Sequence, residues 1–106
     1  DDFGKDKNKV YLFGLELKDV KPEKFQVVKE PITEKIIYVR DENNLFVIFY
    51  DYFSGFNFVE PKKIENVDFK TLKWKSAREL EDKNGKYIVN GSIIDEDKIE
   101  VKFIKK

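Results

Sequence analysis

The chain has 106 residues, enough for one domain that buries roughly two thirds of its unfolded surface and too few for two. Hydrophobic residues (41%) stand beside charged ones (40%), a mixture too apolar for a disordered tail and too charged for a membrane protein. The 21 basic and 21 acidic side chains cancel, so only a local patch can draw nucleic acid or an anionic membrane, and the absence of cysteine removes disulfides and thiolate metal sites.

In chain order, residues 1–8 read as a flexible N-terminal segment, opening Asp1-Asp2 without methionine as a processed or excised product does. The β-rich run from Lys9 to Leu17 predicts a first strand, with Val10 and Leu12 on one face and Tyr11 and Phe13 on the other. Pro22-Glu23 suits a helix start and Pro31 blocks continuation, which predicts a short helix over 22–29, although Val27 and Val28 also fit a strand. Segments 34–40 and 45–52 are β-rich and flank Asp41-Glu42-Asn43-Asn44, whose side chains favour a turn, so they predict a hairpin. The longest nearly uncharged run, Asn43 to Tyr50, is far short of the about 20 apolar residues that a membrane helix needs.

Between Asp68 and Gly85, the residues Phe69, Leu72, Ser76 and Leu80 fall on a helical stripe, with Asp68 as a cap and Asn84-Gly85 as a stop. This predicts a second helix, although Leu72 and Trp74 also alternate as in a strand. Segments 86–94 and 98–104 then read as strands around Asp95-Glu96-Asp97, with Ile99, Val101 and Phe103 pointing inward. Nothing repeats internally, and no linker or low-complexity tract divides the chain.

Val10-Tyr11-Leu12-Phe13-Gly14-Leu15 satisfies the first short motif of the RNA recognition motif family, and Phe46-Val47-Ile48-Phe49 matches the second half of the other motif. With the β-α-β-β-α-β order, the chain resembles that family from Lys9 to Lys106. The resemblance implies an α+β two-layer sandwich, a four-stranded antiparallel sheet backed by two helices, as one domain over 9–106 with an aromatic insertion at about 53–67. The other fold that the pattern allows is a small all-β barrel. The family binds single-stranded RNA by stacking bases on rings of an open sheet face while cations hold the backbone. Carried onto this chain, the rings are Tyr11 and Phe46, and Phe13, Tyr38, Arg40 and Lys102 share or border that face. Two departures oppose it: Asn44 stands where the family uses an aromatic residue, and Glu42 where it uses a cation.

The aromatic run Phe46 to Phe58 divides into a strand and an insertion. Leu45, Val47 and Phe49 alternate toward a core, whereas Phe53, Phe56 and Phe58 must either cover the sheet or form an apolar edge. Lys70, Trp74 and Arg78 form a second candidate, an indole between two cations on one face of the predicted helix. Asp82-Lys83-Asn84-Gly85 begins like a calcium loop, but Tyr87 and Ile93 occupy the places of its Gly and Glu, and no site is assigned. Asn90-Gly91-Ser92, a glycosylation pattern, reads as a turn.

Catalysis has little to draw on, because histidine and cysteine are absent and Ser54, Ser76 and Ser92 lie in no nucleophile motif. The sequence therefore points to a non-catalytic binding domain that needs no small-molecule cofactor or metal and no membrane insertion. Its expected partner is single-stranded RNA. The alternative is a protein-interaction module, possibly of an exported protein, docking through its aromatic surface.

Overall fold

A computed structural model describes residues 3–30, 35–51, 57–58, 60–91 and 99–106. They form twelve β-strands: β1 (Phe3–Lys5), β2 (Val10–Leu12), β3 (Leu15–Glu16), β4 (Gln26–Lys29), β5 (Ile36–Arg40), β6 (Leu45–Asp51), β7 (Asn57–Phe58), β8 (Lys62–Ile64), β9 (Lys73–Ser76), β10 (Glu79–Asp82), β11 (Gly85–Asn90) and β12 (Glu100–Lys105). Among the described residues there is no helix, so the α+β sandwich and the resemblance to the RNA recognition motif are both overturned; the all-β class is what the chain adopts.

Each predicted helix is replaced for a local reason. The stripe of Phe69, Leu72, Ser76 and Leu80 coincides with a second, two-residue alternation in which Trp74, Leu80 and Asp82 point to one side of the β9–β10 hairpin. Ala77-Arg78 turns that hairpin. Asp68 caps no helix: its own N–H goes to the Asp82 carboxylate at 2.8 Å. Val27 takes the strand alternative and pairs with Val39. The first family motif is also broken, because Phe13 (φ 50°) and Gly14 (φ 81°) form the two-residue turn between β2 and β3.

The strands make three antiparallel sheets. The first is β1-β2-β3, the second is β4-β5-β6-β7 with β8 also on β6, and the third is β9-β10-β11-β12. Val10, Leu12, Leu17 and Val20 of the first sheet and its following loop pack with Ile37, Val39, Phe46, Ile48 and Tyr50 of the second. The opposite face of the second sheet, including Ile36, Tyr38, Leu45, Val47 and Phe49, packs with Leu80, Tyr87 and Val89 of the third. The middle sheet is thus covered on both sides, which is why Ile36–Val39 and Leu45–Tyr50 are buried without alternation. A strand covered on both sides offers no outward face, so Tyr38 and Phe46, expected on an open surface, lie fully buried.

The three sheets are variants of one unit, and the sequence does repeat. Asp6, Asp41 and Asp82 each open a turn in which Oδ1 accepts two backbone N–H groups: those of Asn8 and Lys9 (both 2.8 Å), of Asn43 and Asn44 (3.0 and 2.9 Å), and of Asn84 and Gly85 (2.8 and 3.2 Å). This is what a short carboxylate does well at a turn. In each case an aromatic residue follows at the same spacing, Tyr11, Phe46 or Tyr87, in the strand leaving the turn. The connections between units repeat as well. Leu17-Lys18-Asp19-Val20 and Ile64-Glu65-Asn66-Val67 share one pattern, and Asp19 (φ 68°) and Asn66 (φ 64°) both adopt the left-handed backbone that Asp and Asn tolerate best. The second carboxylate oxygen of Asp41 accepts the Lys21 N–H (3.1 Å), as that of Asp82 accepts the Asp68 N–H. Lys5 Nζ reaches the Pro22 carbonyl (3.4 Å) where Arg40 lies over the Phe69 ring (3.5 Å).

Candidate functional site

In a stack of repeated units the end surfaces differ from those in the middle. On the outer face of the third sheet, Lys73 and Lys106 lie 3.9 and 3.7 Å from Glu81, and Lys86 lies 3.5 Å from Glu79. Their lysines are exposed while Glu81 is half-buried, so the pairs add modest stability and make a polar surface that closes the stack.

An open cleft of about 730 Å³ lies where the second and third sheets meet. One wall is Lys62, Lys63 and Ile64 of β8; the other is Val101, Phe103 and Lys105 of β12; Tyr87 lines it between them. Both walls are edge strands, each paired on one side only among the described residues. Phe103 is 48% exposed while its ring centroid sits 5.0 Å from that of Tyr87, so an apolar floor meets a cationic rim that Glu65 offsets only in part.

The floor is fixed from below. Tyr87 donates its hydroxyl to Asp82 Oδ2 at 2.9 Å and approaches the Asn66 carbonyl at 3.3 Å, tying the strand to the preceding loop. Burial alone would raise the Asp82 pKa, but the N–H groups of Asp68, Asn84 and Gly85 and the Tyr87 hydroxyl outweigh it, and the carboxyl lies below the ordinary range. Burial and the neighbouring carboxylate raise the Tyr87 hydroxyl well above its ordinary value. Asp6, at the equivalent turn, is lowered by the Asn8 and Lys9 amides.

The residues singled out by sequence are scattered. Phe46 and Tyr38 are core, the Tyr38 hydroxyl donating to the Ala77 carbonyl at 2.6 Å. Tyr11 is half-buried in the first sheet and bonds Asp6 Oδ2 at 3.1 Å. Phe13 sits at the hairpin turn, 42% exposed. Arg40 donates to the Asp41 carbonyl at 3.0 Å and covers Phe69. Lys102 is exposed on β12. Lys70, Trp74 and Arg78 do not share a face: Lys70 is exposed in the loop before β9, Trp74 packs edge-on to Tyr38 (5.4 Å), and Arg78 donates to the Gly91 carbonyl at 2.9 Å. Of the aromatic insertion at about 53–67, Phe53 and Phe56 lie outside the described residues, as does the acidic turn at 95–97, whereas Asn57–Phe58 and Lys62–Ile64 of the same stretch are the strands β7 and β8.

Sequence reasoning missed the cleft because alternation assigned Phe103 inward. That assignment is right for the side of the sheet, but the strand lies at an edge where inward is still open. Among the described residues, no group of three or more His, Cys, Asp or Glu side chains could hold a metal ion, and no helix is long and apolar enough to cross a membrane.

Fold and site together define an all-β stack of repeated antiparallel units that offers an edge-strand cleft. The chain belongs to the DKNYY family, whose family model matches residues 1–74. No curated protein and no solved structure matches the chain.

Proposed function

We propose that the chain is a non-catalytic protein-interaction module that takes an extended segment of a partner protein into the cleft between β8 and β12. The observation that carries this reading is the exposed Phe103 on an edge strand, set over Tyr87 and rimmed by Lys62, Lys63 and Lys105. An edge strand supplies unpaired backbone N–H and C=O groups that an extended peptide can continue, and alternate side chains of that peptide then enter the cleft. Three lysines against one glutamate fit a segment with acidic side chains around an apolar anchor, by complementarity of charge. Single-stranded RNA finds less support: its stacking face rests on Tyr11 and Phe46, which lie in different sheets, and Phe46 has no exposed surface.

The test is binding of a labelled ten-residue peptide of alternating acidic and apolar residues, followed by fluorescence anisotropy. Phe103→Ala or a Lys62→Glu, Lys105→Glu double change should weaken it about tenfold or more, the scale of losing an anchor or inverting a rim charge pattern. Peptide affinity unchanged by Phe103→Ala would sink the reading. So would tighter binding of a mixed single-stranded oligonucleotide that falls steeply with salt, which would return RNA to the front.

A further inference from the structure

The first unit lacks two parts that the later units have. In the second unit, β4 pairs along the free side of β5 and the loop before it gives the Lys21 N–H to Asp41; in the third, β9 pairs along β10 and the loop gives the Asp68 N–H to Asp82. The equivalent strand, β1, pairs only with β2 among the described residues, and Asp6 Oδ2 receives the Tyr11 hydroxyl but no loop amide. Gly4 occupies the place of Val39 and Leu80, which face Val27 and Trp74 across the strands. A Cβ at Gly4 would meet nothing within 4 Å, so a bulky side chain opposite it has open space, as when an aromatic residue covers a glycine on a neighbouring strand. Tyr11, half-buried, stands where Phe46 is buried under the preceding unit.

From this we infer that the outer edge of β1 at Gly4 and Lys5, with Asp6, is a docking site for the loop-and-strand segment of another unit of this kind. Its occupant has the chemistry of 17–27 and 64–74: an aliphatic residue, any residue, Asp or Asn in the left-handed conformation, Val, and then a strand with a bulky apolar residue set against Gly4. That segment donates a backbone N–H to Asp6 Oδ2 and adds a fourth strand to the first sheet. Both copies within the chain are already engaged, so the occupant is a third one. The inference is independent of the cleft, which lies between the other two sheets.

The experiment joins a copy of residues 62–76 to the N-terminus of the whole chain through a Gly/Ser linker of about 15 residues, which raises its effective concentration to the order of mM. Amide hydrogen exchange at Lys5, whose N–H points away from β2, is then read by NMR. Protection should rise about tenfold or more over the unfused chain, because pairing removes the open edge. Asp6→Asn should abolish most of the rise: its Oδ1 still serves the turn, but an amide nitrogen replaces the accepting oxygen. As a change that cannot affect folding of the host, the Asn66→Pro substitution within the appended copy alone should do the same. No rise, an equal rise with a scrambled segment, or a rise that survives both substitutions overturns the inference. Protection that climbs with the concentration of the unfused chain overturns it too, since a second copy would then hold the edge.

Discussion

The Tyr87 hydroxyl donates to Asp82 Oδ2 at 2.9 Å with both side chains buried, and the same carboxylate takes backbone N–H groups from Asp68, Asn84 and Gly85. One carboxylate therefore holds the turn, the strand leaving it and the loop arriving from the preceding unit. Asp82→Ala takes the acceptor from three backbone N–H groups and leaves the Tyr87 hydroxyl only the longer contact to the Asn66 carbonyl, and it should cost about 3 kcal/mol, the range for breaking a buried network. Tyr87→Phe removes one bond and should cost about 1 kcal/mol. Asp41→Ala should be closer to Asp82→Ala, because Asp41 is equally buried and bonds Asn43, Asn44 and Lys21, and Asp6→Ala should be the mildest of the three aspartate changes. Urea denaturation of the four variants checks the order.

The same pair predicts the pH limits of the fold. The folded Asp82 pKa lies below its unfolded value, so its contribution is present above the ordinary aspartate range and is lost as pH falls through the folded pKa. The folded Tyr87 pKa lies above its unfolded value, so the neutral hydroxyl contributes fully below about pH 10 and progressively less as pH rises beyond it, where the unfolded chain loses the proton first. Melting temperature against pH should fall at both ends. Tyr87→Phe should flatten the alkaline limb, and Asp82→Asn the acid limb.

Phe46 separates a core from a binding face. It is completely buried between the first and second sheets, beside Val10, Leu12 and Val39. Phe46→Ala should destabilise by about 3 to 5 kcal/mol through the cavity it leaves. Tyr11→Ala, at a half-buried site with one hydroxyl bond, should cost about 1 kcal/mol. Comparable small losses for both, by thermal or urea unfolding, would mean that Phe46 is not core.

Parts of this architecture are visible in the sequence and parts are not, for identifiable reasons. The hairpin across Asp41–Asn44 shows because β-rich runs flank a turn of Asp and Asn, and it appears as β5 and β6. The unit repeat hides because only Asp-x-Asn, the aromatic residue after it and the Leu-x-Asp-Val or Ile-x-Asn-Val loop persist, whereas the connections differ in length. Comparing Asp6-Lys7-Asn8 with Asp82-Lys83-Asn84 would have exposed it. The helix over 68–85 fails because four apolar or small residues satisfied a 3.6-residue period by coincidence, while tertiary packing of Trp74 and Leu80 enforces a period of two. The site was illegible for another reason: whether Phe103 is covered depends on what flanks β12, and alternation along one strand says nothing of its neighbours.

Trp74 supplies the last test. Its indole packs against Tyr38, yet its buried Nε1 has no hydrogen-bond partner among the described residues. An unsatisfied buried donor costs about 1 to 3 kcal/mol, while the extra ring carbons that Phe would lack are worth about 1 kcal/mol by area. Trp74→Phe should therefore be neutral within about 1 kcal/mol or slightly stabilising, because the two effects oppose. Trp74→Ala removes the packing as well, and should cost about 2 to 3 kcal/mol at this partly buried position. Chemical denaturation of both variants distinguishes the contributions. A Phe variant as unstable as the Ala variant would mean that the indole nitrogen is satisfied in solution and that its bond, not the ring, holds β9 against the middle sheet.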